Sequence, residues 1–219
     1  MQEHVYLADT YRTEIATHVA AAGDDDGPWV ALRDNVFHPQ GGGQPADRGW
    51  LGAYEVVPVR RTDSGLVAVR APDGDGLGGL GVGDAVGARV DADLRRRHAA
   101  LHTAGHLIDA AGLSLGWVHA GNVHFPGQAR IEFTGTAPED REEAAERIRA
   151  YVAKAIAADL PVTVDHDADG LRIVHIEGRH DQPCGGTHVR GLGDLADVTI
   201  SGVKVKKGRI RVSYDAAHR

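Results

Sequence analysis

Residues 94–112 read LRRRHAALHTAGHLIDAAG, and their apolar side chains recur at seven-residue spacing. The repeating positions are Leu94, Leu101 and Ile108. This spacing is typical of one face of an α-helix. The imidazoles of His102 and His106 follow the adjacent face, so they should project from the same side about one turn apart. Gly112 predicts the end of this helix.

Strands with turn signals precede the helix. Segments of strand character lie at 14–22, 28–34, 54–61, 66–72 and 85–91. Residues 63–65, Asp-Ser-Gly, stand between two of them and predict a hairpin. The glycine-rich residues 73–84 fit no regular element and predict a surface loop. Strands at such short spacing predict a small β-barrel-like domain over residues 1–93.

Helix and strand signals alternate in the C-terminal half. A second helix is predicted over residues 138–159, with Thr136 as its N-terminal cap and Pro161 as its stop. Strands are predicted at 162–166, 171–177, 197–207 and 209–214, with a turn at 207–208. Helices packed on an antiparallel sheet predict an α+β domain over residues 94–219. The fold class of the whole chain is therefore α+β, with the barrel-like domain first.

The composition is that of a soluble globular protein. Of the 219 residues, 42% are hydrophobic and 25% are charged, which allows one large or two small domains. No apolar run predicts a membrane span, and the N-terminus lacks the basic start and apolar core of a secretory signal. A single cysteine cannot form an internal disulfide. We therefore expect a cytoplasmic protein with no membrane partner.

The only cysteine lies in a second informative segment, Cys184-Gly185-Gly186-Thr187-His188. Its thiolate and imidazole, with the two helical imidazoles, would supply one sulfur and three nitrogen ligands. This mixture suits Zn²⁺ better than Mg²⁺ or Ca²⁺, which prefer oxygen. Spacing alone leaves His98 as a third helical candidate, and a lone cysteine can also be a small buried apolar residue. Zinc held by four residues would be structural, whereas displacement of one residue would open a position for water or substrate.

Three motifs resemble those of a known family. LHTAGHLIDAA at 101–111 and DQPCGGTHV at 181–189 are similar to the HxxxH and CxxxH metal motifs of the alanyl-tRNA editing family. FHPQGGGQPADRGWL at 37–51 is similar to the glycine-rich motif of its longer freestanding members, the AlaX proteins. The chain also resembles the second additional domain of threonyl- and alanyl-tRNA synthetases.

The resemblance implies a zinc-dependent hydrolase that cleaves a wrongly attached amino acid from the acceptor end of tRNA. It also implies a barrel before the editing domain. The metal ligands that it selects are His102, His106, Cys184 and His188, which leaves His98 as a bystander on the same helix. Because no ATP-binding segment accompanies these motifs, we expect a complete protein that acts in trans.

Ester hydrolysis also requires groups that hold the substrate and its developing oxyanion. The consecutive backbone amides that could stabilise the oxyanion belong to Gly185, Gly186 and Thr187. Gln44 of the glycine-rich motif is the predicted polar contact with the ester or the terminal ribose. Asn35 stands where the family has a threonine associated with the hydroxyl of the acyl group. The default substrate, seryl-tRNA for alanine, therefore has an alternative in a threonine-type or noncanonical acyl group such as fluorothreonyl-tRNA for threonine.

The charge pattern bears on the tRNA partner. A net charge of −7 is unusual for a protein that contacts tRNA. Basic residues nevertheless cluster at 95–97 and 204–211, and Arg96 and Lys206 are the predicted phosphate contacts. No DNA partner is expected.

Two other classes of protein share some of these features. A zinc peptidase is disfavoured because Thr103 replaces the glutamate of the HExxH motif. A noncatalytic tRNA-binding module with structural zinc is the better rival, and it predicts no deacylation. The oligomeric state is left open by the sequence.

Overall fold

The computed structural model of the protein describes residues 2–25, 27–61, 63–74, 76–77 and 79–219. Their contacts form two compact units. The first unit contains Met1–Gly41 and Pro45–Arg95, and the second contains Gly42–Gln44 and Arg96–Arg219. The predicted domains, 1–93 and 94–219, stay a prediction because a domain is defined by its ability to fold alone.

The first unit is a closed barrel with short flanking elements. Its described elements are β1 (Glu3–His4), α1 (Val5–Ala8), β2 (Glu14–Gly23), β3 (Trp29–Leu32), β4 (Asp34–Asn35), β5 (Gly49–Leu51), β6 (Tyr54–Arg60), β7 (Val67–Arg70) and β8 (Ala85–Val90). Antiparallel pairing in the order β2, β3, β7, β6, β5, β8 closes the barrel. Buried residues of alternating strand positions, among them Val19, Leu32 and Val69, form its core. The predicted N-terminal barrel is confirmed.

The connections of the barrel follow the turn signals. The hairpin predicted at 63–65 connects β6 to β7, and its glycine has a φ of 71°. Thr62, in the same connection, lies outside the described residues. The loop predicted at 73–84 has neither helix nor strand in the part that the structure describes, which leaves out residues 75 and 78.

A buried ion pair lies in the first unit. The side chains of Arg95 and Asp47 are both fully buried, and Nε of Arg95 donates to Oδ1 of Asp47 at 3.0 Å. The guanidinium also donates to two backbone carbonyls, and the carboxylate accepts the backbone N–H of His38 at 2.6 Å. A buried charge pair is tolerated when it is hydrogen-bonded in this way. Arg95 therefore does not belong to the predicted tRNA-contacting cluster at 95–97.

The second unit is an α+β fold. Its described elements are α2 (Ala92–Ser114, whose first residues belong to the first unit), β9 (Val118–Val123), β10 (Arg130–Thr134), α3 (Arg141–Ala157), β11 (Val162–His166), β12 (Arg172–Ile176), β13 (His180–Pro183), a 3₁₀ turn (Leu192–Asp194), β14 (Leu195–Lys206) and β15 (Arg209–His218). One antiparallel sheet has the order β14, β15, β10, β9, and a smaller one has the order β11, β12, β13. Apolar residues of both helices and of the larger sheet, such as Leu101, Ile148 and Val212, share one core. The predicted α+β class is confirmed.

Both long helices differ from their predicted ends. Helix α2 continues beyond Gly112, where a Cβ would lie closer than 3.0 Å to the ring of Phe133. This glycine therefore serves close packing and does not end the helix. Helix α3 begins after Asp140, whose carboxylate accepts two backbone N–H groups of the first turn at 2.8 and 3.0 Å. Asp140, and not Thr136, is the N-terminal cap.

Strands β9, β10 and β13 are absent from the sequence prediction. Polar and glycine residues interrupt the apolar alternation in β9 and β13, whereas the predicted turn at 207–208 joins β14 to β15 as expected. Among the described helices, none combines the length and the apolar character that crossing a bilayer requires.

Candidate metal centre

Two elements of the second unit bring four candidate ligands together. His102 and His106 lie one turn apart on α2, and Cys184 and His188 lie in the loop that follows β13. One candidate ligand atom from each of the four lies within 4.8 Å of the others. In the described part of the chain, His98 lies outside this group. The sequence prediction and the structure therefore select the same four side chains.

The distances within the group suit one small ion. Sγ of Cys184 lies 3.4 Å from Nε2 of His102 and 3.3 Å from Nε2 of His188. Two ligands about 2.0–2.3 Å from a tetrahedral zinc ion lie roughly 3.3–3.7 Å apart. The residues present therefore fit zinc in both chemistry and spacing.

Gln44 fixes the orientation of the His102 ring. Its Oε1 accepts the backbone N–H of Thr187 at 3.0 Å and lies 2.8 Å from Nδ1 of His102, while its Nε2 donates to Oγ1 of Thr187 at 2.9 Å. Because Oε1 can only accept, Nδ1 of His102 carries the proton and Nε2 keeps its lone pair facing Cys184. This is the arrangement of a metal-bound histidine whose outer nitrogen donates to a neighbouring acceptor.

Thr103 has a similar place beside His188. Its Oγ1 lies 3.1 Å from Nδ1 of His188 and accepts the backbone N–H of Val189 at 3.2 Å. In the sequence, Thr103 is notable only because it replaces the glutamate of the HExxH motif. The structure gives it a supporting contact with a candidate ligand.

Burial sets the charge states of the group. His106 is buried and its Nδ1 has no hydrogen-bond partner among the described residues. Burial, followed by the nearby His180 and His124, lowers the pKa of His106 well below its usual value, which keeps the imidazole neutral as a metal ligand must be. Burial raises the pKa of the Cys184 thiol, and this effect is opposed by the N–H of Gly186, which lies 3.3 Å from Sγ. A bound cation would favour the thiolate further.

Gly186 packs against a ligand ring. A Cβ there would lie closer than 3.0 Å to Cε1 and Nδ1 of His102, whereas a Cβ at the exposed Gly185 would meet nothing within 4 Å. Packing against His102 therefore requires glycine at position 186, whereas position 185 has room for a side chain.

We expect Gly186→Ala to displace His102 and to weaken zinc binding by about 10–100-fold, the range seen when support of a ligand is lost. Overpacking should also lower the free energy of unfolding by about 1–3 kcal/mol. The matched variant Gly185→Ala should bind zinc within about twofold of the wild type, as its Cβ enters open space. Competitive zinc titration and urea unfolding measure both effects. Equal zinc affinities for the two variants would contradict this assignment.

The rings of the group extend to residues that the sequence analysis did not select. His124, which follows β9, is fully buried and stacks on His102 with ring centroids 4.2 Å apart. Nδ1 of His124 lies 2.6 Å from Oη of Tyr214. Burial lowers the pKa of His124 to about 3. No sequence motif identified His124, because it lies outside both metal motifs.

Asp109 forms a second polar cluster one turn beyond His106. Its carboxylate lies 2.8 Å from Nδ1 of His119 and accepts Nε2 of Gln182 at 3.1 Å. The ring of His180, whose Nε2 lies 3.5 Å from the same carboxylate, packs edge-on against His106 with centroids 5.1 Å apart. Asp109 and His180 therefore lie beside the candidate ligand His106, which the ring of His180 contacts edge-on. In the sequence, Asp109 could have been identified from its position three residues after His106 on the same helix.

Three other predicted site residues, Asn35, Gly186 and Thr187, form hydrogen bonds within the protein. The amide of Asn35 is buried, and it donates to the carbonyl of Phe37 at 2.9 Å and accepts the N–H of the same residue at 3.1 Å. Both polar atoms thus take part in a local turn, and the contact of Asn35 with the acyl group stays a prediction. The backbone amides of Gly186 and Thr187 also have partners, Cys184 and Gln44, and their oxyanion role stays a prediction.

Comparison with known proteins adds to this geometry. No family model matches the chain. The alanyl-tRNA editing protein AlaX-M of Methanosarcina acetivorans is 31% identical over 94% of this chain and 93% of the relative. AlaX-M of Methanosarcina mazei is 30% identical over 94% of this chain and 91% of the relative. The alanine–tRNA ligase of Halobacterium salinarum is 29% identical over 98% of this chain, which matches only 26% of the ligase.

The barrel, the α+β unit and the four candidate ligands thus occur in a chain of the aminoacyl-tRNA editing class. The similarity to the two AlaX-M proteins extends over nearly the full length of both chains. The protein belongs to the family of alanyl-tRNA editing proteins AlaX-M. The predicted resemblance to the alanyl-tRNA editing family is confirmed.

Proposed function

We propose that the protein is a zinc-dependent deacylase that acts in trans in the cytoplasm on mischarged tRNA, with seryl-tRNA for alanine as the default substrate. The observation that carries the proposal is the group of His102, His106, Cys184 and His188 within 4.8 Å. Membership of the alanyl-tRNA editing family supplies the substrate class. An aminoacyl ester is already activated, so no nucleophilic side chain is required.

Zinc held by this group, with one of the four residues displaced to open a position, would supply Lewis acidity at the ester or at its attacking water. Around it, Gln44 acts as a positioning residue, because its amide fixes His102 and Thr187. A contact of Gln44 with the ester or the terminal ribose stays part of the proposal. The backbone amides of Gly185, Gly186 and Thr187 are the proposed donors to the oxyanion, and Gly185 is the exposed one, with open space at its Cα.

The acceptor end of tRNA requires phosphate contacts near this unit. Arg96 and Lys206 are both exposed on the second unit and remain our candidates. Arg97 is less suited, because both oxygens of Asp215 accept its guanidinium at 2.8 and 2.9 Å. Contacts of this kind position the nucleic acid and make its affinity depend on salt.

The test is deacylation of a panel by the zinc-loaded protein: seryl-, glycyl- and alanyl-tRNA for alanine, and threonyl- and fluorothreonyl-tRNA for threonine. We expect hydrolysis of seryl-tRNA for alanine to be the fastest. Faster hydrolysis of either threonine-type ester would replace the default substrate by the alternative. No hydrolysis of any ester by protein with stoichiometric zinc would leave the noncatalytic tRNA-binding module as the function.

A further inference from the structure

His124 carries a nitrogen whose role the metal centre does not explain. The hydroxyl of Tyr214 donates to the carbonyl of Leu101 at 3.0 Å, so its single proton is committed. Nδ1 of His124, 2.6 Å from that oxygen, must then be the donor. The ring is held as the Nδ1–H tautomer, and its Nε2 bears a lone pair. This Nε2 is buried without a hydrogen-bond partner among the described residues.

The fold makes specific room for this ring. A Cβ at Gly105 would lie 2.5 Å from Cε1 of His124 and 2.6 Å from Oη of Tyr214. Glycine in a helix interior lowers stability relative to alanine, and an unsatisfied buried acceptor lowers it as well. Both the helical Gly105 and the unpaired Nε2 of His124 therefore lower stability, and the ring of His124 stacks on the candidate ligand His102. A buried polar atom left unpaired in this way points to a ligand or a catalytic role.

The imidazole of His124 also lies against Gly43 of the glycine-rich motif. The backbone N–H of His124 donates to the carbonyl of Gly43 at 2.8 Å. A Cβ at Gly43 would lie 2.7 Å from Oδ1 of Asn122 and 3.1 Å from Cδ2 of His124. The half-buried Asn122 and the fully buried His124 thus both lie against Gly43. Because the ring of His124 stacks on the candidate ligand His102, an ester held at the metal centre would bring its acyl side chain close to this ring.

We propose that Nε2 of His124 is the acceptor that recognises the β-hydroxyl of the acyl group. The inference rests on the proposed deacylase function and names a specificity-determining residue for it. Each polar atom of the Asn35 amide already has a partner on Phe37, whereas Nε2 of His124 has none among the described residues. An acyl group without the hydroxyl would leave Nε2 unpaired, so the site favours serine-type and threonine-type esters over alanine and glycine. Tyr214 is the positioning residue that fixes the tautomer.

The experiment compares wild type, His124→Leu and Tyr214→Phe, with His166→Leu at an exposed position of β11 as the matched control. Zinc content is measured first. Binding of 3′-(L-serylamino)adenosine and 3′-(L-alanylamino)adenosine, which are not cleaved as esters, is then measured by calorimetry. We expect the wild type and the control to bind the seryl compound at least about tenfold more tightly. His124→Leu should bind both compounds equally while keeping stoichiometric zinc, and Tyr214→Phe should show a smaller preference.

Deacylation of seryl- and glycyl-tRNA by the same proteins gives an independent ratio. His124→Leu should lose at least about tenfold on the seryl ester and stay within about twofold on the glycyl ester. A preference for the seryl compound that survives in His124→Leu would overturn the proposal, as would an equal loss on both esters. Failure of the proposed function is distinguishable, because the zinc-loaded wild type would then cleave no ester at all.

Discussion

Purified Cys184→Ala protein is expected to bind less than about a tenth of an equivalent of zinc and to lose at least about 100-fold in the rate of ester hydrolysis. The thiolate is the one sulfur ligand of the group, and its Sγ lies 3.3–3.4 Å from two ligand nitrogens. Removal leaves three buried imidazoles with no anionic partner. Zinc content by mass spectrometry of the native protein and single-turnover deacylation of seryl-tRNA check both losses.

A graded variant and a control make this prediction sharper. Gln44→Leu keeps all four ligands but removes the acceptor of His102 Nδ1, so zinc affinity should fall by about 10–100-fold without being abolished. His166→Ala, at an exposed histidine, should change neither zinc binding nor turnover. If Cys184→Ala retained a full equivalent of zinc, the metal centre would have to lie elsewhere. If it lost zinc but not activity, the zinc would be structural and the deacylase mechanism wrong.

The sequence predicts those parts of the fold whose signals are local. Helix α2 follows from its heptad spacing, and the barrel hairpin at 63–65 follows from its turn residues. Errors occur where distant packing decides. Gly112 has the local signature of a helix end, but the ring of Phe133 occupies the place of its side chain and the helix continues. Strand β13 lacks apolar alternation and is formed by pairing with β12.

In the candidate site, too, local motifs predict some residues, whereas other roles depend on contacts between distant parts of the chain. The four ligands stand in two short motifs, so spacing and resemblance identify them together. His124 is in neither motif, and its neighbours Gly105 and Tyr214 are 19 and 90 residues away along the chain. Gln44 was identified by its motif, but its role as support for His102 depends on a contact across 58 residues. Such roles are properties of the folded chain, because no local pattern specifies which polar atoms will already be bound.

Replacement of the buried Arg95 should have the largest effect on stability. We expect Arg95→Met to lower the free energy of unfolding by about 3–5 kcal/mol, since it leaves the fully buried carboxylate of Asp47 without its cation. Among the described residues, the backbone N–H of His38 would then be the remaining donor to this carboxylate. Urea unfolding followed by tryptophan fluorescence measures the loss, with Trp50 on strand β5 of the same unit as one reporter.

The matched control is Arg48→Met in the same unit. Arg48 pairs with Asp91 at 3.0 Å, but its side chain is 54% exposed, compared with 0% for Arg95. Water and salt screen an exposed pair, so its loss should cost less than about 1 kcal/mol. The double variant Arg95→Met with Asp47→Leu should recover part of the stability, because it no longer buries an unpaired charge. Equal destabilisation by Arg95→Met and Arg48→Met would show that burial of this pair does not determine its energetic role.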